Sequence, residues 1–169
     1  GVTMALSEQF LVDEIHPIDI VEHIAEHPEW DFDRSADDQI AMAVEGQWRT
    51  YSVTLAWSGY DETLRMVCTF EMEPPAEKLP VLYELLNLIN DQCWAGSFTY
   101  WEEQQLMVYR YGLVLSGGQV ASPEQIDTMI GAAVMSAERY YPALQLLVWG
   151  DRTPKDAIQV AIAEAYGRA

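Results

Sequence analysis

The chain has 169 residues, half of them apolar or aromatic, which is enough for one buried core and excludes a disordered protein. Its 27 acidic residues against 9 basic ones give a formal charge of −18, which repels phosphate backbones and anionic lipid heads alike, so neither nucleic acid nor membrane is an expected partner. Cys68 and Cys93 make no disulfide framework, no apolar run approaches the ~18 residues of a membrane span, and no basic-then-apolar leader is visible, so a cytoplasmic protein is expected.

In chain order, Ile20, Val21, Ile24 and Ala25 recur at helical spacing, with Pro17 near the start and Pro28 at the stop, which predicts a first helix. From Gln39 the apolar period falls to two. Ile40, Met42 and Val44, then Tyr51 to Trp57, then Leu64 to Met72 read as three strands joined by turns at EGQ and SGYDE. A second helix follows Pro74-Pro75, with Leu82, Leu85, Leu86, Ile89 and Cys93 inward. Residues 95–116 then form a hairpin about the polar tip Glu102 to Gln105.

The second arm of that hairpin is apolar on both faces. Leu106, Val108 and Val114 point one way while Met107, Tyr109, Tyr111, Leu113 and Leu115 point the other, so it is expected to be central in the sheet or covered by a second subunit. Ser122, Pro123 and Gln125 spell a capping box that opens a long third helix, which Pro142 should kink or interrupt and Gly150 should end. Thr153-Pro154 repeats the cap for a last helix with Ile158, Ile162, Ala165 and Tyr166 inward. The prediction is one α+β domain holding a five-stranded antiparallel sheet, in the order α-βββ-α-ββ-α-α, with helices mainly on one face.

The sharpest chemical motif is HIAEH, in which His23 and His27 stand one turn apart with Glu26 between them, the inverted zinc-protease spacing. A metal-dependent hydrolase needs a third ligand from another element, and the chain's other histidine is His16. The favoured reading is therefore a solvated polar side of the first helix, with no metal or cofactor expected. Gly117-Gly118 lacks the lysine and spacing of a phosphate loop, and Asp31, Asp33, Asp37 and Asp38 lack the spacing of a calcium loop. Arg152 and Lys155 beside the cap at Thr153 are explained by the helix start, and Ser52, Ser58, Ser97 and Ser116 have no histidine downstream to complete a triad in hydrolase order.

The segments HPIDIVEHI, EWDFDR, LYELLNLIND, WAGSFTYW and ERYYPALQLLVWGDRTPKDAI resemble the YbjN family, a bacterial family associated with sensory transduction regulation. The likeness covers residues 16–166 as one domain and leaves 1–15 as an N-terminal extension. It implies a fold similar to the type III secretion chaperones, small acidic dimers that hold extended segments of client polypeptides. It brings no catalytic residues.

Trp94, Tyr100, Trp101, Tyr109 and Tyr111 cluster on the second hairpin, and such side chains serve both as core fillers and as interface anchors. The expected function is a non-enzymatic, protein-binding regulator or chaperone-like protein, a homodimer paired through that hairpin and the second helix, with a polypeptide partner. The alternatives are the hydrolase on His23, Glu26 and His27, or a small-ligand sensor whose pocket is lined by Trp94, Trp101 and Tyr109.

Overall fold

The structure, a computed structural model, describes residues 16–26 and 31–167, with side chains described as far as Glu164. Helix α1, Pro17–Ala25, starts on a proline whose fixed φ suits a first turn, and the Nδ1 of His16 caps it by accepting from the Ile18 N–H at 3.1 Å. Ile18, Val21 and Ala25 are its buried stripe. The strands follow as β1 Asp31–Ala36, β2 Gln39–Glu45, β3 Thr50–Ser58 and β4 Thr63–Glu71. After a 3-10 turn at Ala76–Lys78 come α2 Leu79–Asn90, β5 Ser97–Trp101, β6 Leu106–Val114, α3 Pro123–Trp149 and α4 Pro154–Gly167. Ala165 and Tyr166, expected to face inward on α4, lie outside the described side chains.

The sheet has six strands, not five, in the order β1-β2-β3-β4-β6-β5, each neighbouring pair antiparallel. The added strand, DFDRSA, has no apolar alternation and is exposed along almost its whole length. It forms because β2 offers a free ladder edge and a tight turn folds the chain back onto it, and it is pinned from α1. Arg34 reaches from β1 to Asp19 at 2.6 Å and Glu22 at 3.1 Å.

Alternation puts one residue of each strand into a row across the sheet. One such row is Phe32, Met42, Val53, Cys68, Tyr109 and Phe98, and all but the edge residue Phe32 are buried. The helices α1, α2 and α3 cover this face, with α4 laid over α2 and α3. As its two-sided composition implied, β6 lies inside the sheet, between β4 and β5.

The long helix keeps its capping box. Ser122 accepts from the Gln125 N–H at 3.1 Å, and the Gln125 side chain accepts from the Ser122 N–H at 2.9 Å. Pro142 does not interrupt it, because Tyr140, Ala143, Leu144 and Leu147 are buried on both sides of the proline and hold the two halves on one core. Proline has no N–H to return to the carbonyl of Glu138. The side chain of that same Glu138 bridges to the β2–β3 turn, accepting from the Gln47 N–H and from the Tyr51 hydroxyl at 3.1 Å.

The two edges of the sheet are closed differently. At β1 the register slips between Asp33 and Ala36 and the strand is acidic, both of which discourage strand addition. At β5 the Asn90 amide accepts from the Phe98 N–H at 2.7 Å and donates to the Phe98 carbonyl at 3.0 Å, so the end of α2 mimics a further strand.

Candidate functional site

The metal reading of α1 meets a plain geometry. His23 has 83 % of its side chain in solvent, and its Nδ1 stands 4.0 Å from a Glu26 carboxylate that is likewise exposed. His27 lies outside the described residues. Glu22, on the same side of the helix, is already engaged by Arg34. Among the described residues no three His, Cys, Asp or Glu side chains converge as a metal site would require.

The five aromatics of the second hairpin separate. Tyr109 is 3 % exposed and packs edge-on against Phe98 with ring centroids 5.1 Å apart, while the Tyr100 hydroxyl donates to the Met72 carbonyl at 2.7 Å. Both belong to the core, and burial raises both phenols above the ordinary tyrosine range. Gly96 leaves room for Tyr109, since a Cβ there would overlap the end of its ring. Tyr111 is half-buried on the helical face, Trp101 lies on the opposite face of the sheet, and Trp94 stands 98 % exposed in the loop before β5. Trp94, Trp101 and Tyr109 therefore do not converge on one pocket.

What the fold does build is a groove between the start of α3 and the end of β6. A cavity of about 300 Å³ is lined by Ala95, Tyr111, Leu113, Thr128, Met129 and Ala132, with Glu124 and Gln125 contributed by the first helical turn. Thr128 and Ala132 are one turn apart on α3, and Met135, 73 % exposed, continues that face. Trp94 adjoins the groove through Ala95. The lining is mainly apolar, with the Glu124 carboxylate, the Gln125 amide and the Tyr111 and Thr128 hydroxyls as its polar groups, a composition that can hold an apolar group.

Sequence reasoning singled out Tyr111 and Trp94 here but missed the helical wall. The signal was a second stripe beginning with the small residues Thr128 and Ala132, offset from the apolar stripe of Ile126 and Ile130. Small side chains score weakly in any apolar pattern.

The chain matches no curated protein and no solved structure at a significant level. A family model does match, over residues 17–146, and its description is "YbjN: Putative bacterial sensory transduction regulator". That span holds α1, all six strands, α2 and nearly the whole of α3, which is to say both walls of the groove, and over it the chain belongs to the YbjN family.

Proposed function

We propose that the protein is a non-enzymatic, polypeptide-binding regulator, chaperone-like in the manner of the type III secretion chaperones, acting as a homodimer in the cytoplasm. Residues 16–166 are its working domain. The observation that carries the reading is the apolar groove beside α3, open to solvent, with the exposed Trp94 next in sequence to its lining residue Ala95. Such a groove takes the apolar side chains of an amphipathic segment, and a field of −18 draws in segments that are also basic. Trp94 and Tyr111 serve as anchors, with Trp101 on the far face available to a subunit contact. The unpaired cysteines fit a reducing compartment.

Binding of a fluorescent amphipathic Lys–Leu peptide in screening salt tests this. Trp94→Ser combined with Met135→Ser should weaken binding about tenfold or more, by the ~1.4 kcal/mol or more that buried anchors supply. Equal binding by wild type and variant would overturn it. The cavity's volume also suits a small-ligand sensor, since it stands at the lower end for such sites. That reading predicts a thermal shift with small apolar metabolites and none with the peptide.

A further inference from the structure

We propose that the partner polypeptide enters the groove as an added strand, hydrogen-bonded to Gly112 and Val114 at the uncovered end of β6 and sending every second side chain into the cavity. This deepens the polypeptide-binding reading above, on which it rests, by naming the conformation and the residue pattern of the bound segment.

The opening arises because the last two strands differ in length. Strand β5 begins at Ser97, opposite Arg110, whereas β6 runs on to Val114 and is paired with β4 throughout. Before Ser97 the chain turns away through Ala95, which lines the cavity instead of following β6. Burial along β6 drops at the same point. Met107, Val108 and Tyr109 are 3 % exposed or less, while Tyr111 and Leu113 are half-buried and Gly112 and Val114 are exposed.

Neighbouring bonds fix which way the backbone of that end faces. In a strand the N–H and C=O of one residue share a side, and those of the next residue take the other. The Leu115 N–H donates to the Glu62 carbonyl at 2.8 Å, toward β4. The Phe98 N–H and carbonyl turn away from β6 to Asn90, so Tyr109 opposite, and with it Tyr111 and Leu113, bond toward β4. Gly112 and Val114 therefore direct their N–H and C=O groups outward, and no described residue pairs with them. Two donors and two acceptors in one line at a sheet edge are the template for a further strand.

The side chains follow the same register. A strand laid ~4.8 Å from β6, antiparallel like every pair of this sheet, puts its residues opposite Tyr111 and Leu113 on the groove side and those opposite Gly112 and Val114 on the other. A cavity of about 300 Å³ is twice the ~150 Å³ that holds a benzene-sized group, so it takes two aliphatic side chains, spaced two residues apart. A helix would offer its apolar residues three and four apart and leave the backbone groups of Gly112 and Val114 unmet. On the outer side the exposed Arg110 precedes Gly112 on the same face, which disfavours a guest lysine there. The segment that fits alternates apolar with hydroxyl-bearing residues and carries its basic residues beyond the strand, where the field of −18 still draws them.

A fluorescent peptide alternating valine with threonine, with lysines at both ends, tests this by anisotropy and by amide hydrogen exchange of the full chain. The free protein should exchange the Gly112 and Val114 amides rapidly, and the peptide should slow both about tenfold or more. N-methylation of the threonine amides, which face β6, should weaken binding about tenfold or more, whereas N-methylation of the valine amides, which face away, should leave it within about threefold. Gly112 and Val114 amides already protected in the free protein would overturn the proposal, because another segment of the chain would then hold this edge. A peptide that binds without slowing them, equal losses from the two methylated forms, or failure to bind where the Lys–Leu peptide succeeds, overturns the added strand and leaves polypeptide binding standing. Failure of both peptides overturns both readings.

Discussion

Cys68 sits in the middle of the sheet's covered face, and burial pushes its thiol up to about 12. A thiolate is the reactive form, so a thiol reagent should leave Cys68 untouched in the folded protein and modify half-buried Cys93 first. The same burial has a consequence for stability. The Tyr51, Tyr109 and Tyr140 phenols are also raised, in each case chiefly by burial, so the folded state holds these protons to higher pH than the unfolded chain does. Stability contributed by these groups is complete below the ordinary thiol and phenol values and is lost as pH rises through the folded ones. The thermal midpoint should therefore fall progressively above about pH 9, and Cys68→Ala, whatever its cost at neutral pH, should make that fall shallower. An equal slope in both proteins would remove Cys68 from the account.

Glu138 is the other residue whose surroundings decide its role. Its carboxylate binds the β2–β3 turn and the Tyr51 hydroxyl, so Glu138→Ala leaves the phenol of the buried Tyr51 without its acceptor. Urea unfolding should show a loss of about 1–3 kcal/mol, the usual cost of an unmet polar group. Glu138→Gln, which keeps an acceptor oxygen, should lose less than half as much.

Among the elements, β5 and α2 depend on each other through one side chain. Asn90→Ala removes both bonds to Phe98 and frees the edge of β5, with an expected cost of about 1–3 kcal/mol. The unpaired edge should also raise the rate of aggregation, followed by light scattering, and Asn90→Asp should not rescue it because a carboxylate cannot donate to the Phe98 carbonyl.

Elements were legible where one physical signal governed them. Met42, Val53, Cys68 and Tyr109 alternate because one face of the sheet is buried, and Ser122 with Gln125 marks a helix start because the cap is local chemistry. Strand β1 was not legible, since DFDRSA is held by ladder hydrogen bonds and by Arg34, neither of which leaves an apolar period. Pro142 does not end the helix, because its local cost is outweighed by tertiary packing on both sides. The family likeness was legible in segments such as LYELLNLIND and WAGSFTYW, and the family match over residues 17–146 bears it out. The groove was half legible, in Tyr111 and Trp94, because its other wall is made by the spacing of small residues on α3 rather than by any residue of marked chemistry.

For the molecule as a whole, Trp94 makes the groove observable. Trp48 and Trp149 are partly shielded and Trp57 and Trp101 more so, whereas Trp94 is almost wholly in water. Among the described tryptophans its indole should emit furthest to the red and be the one most readily quenched by acrylamide, a neutral quencher. Iodide, carrying the same sign as a surface of −18, should quench it less than collision alone would give, and added salt should narrow that gap. A peptide seated in the groove would shift the emission to the blue and lower acrylamide quenching together. The protein thus carries its own optical gauge of occupancy, readable without a label.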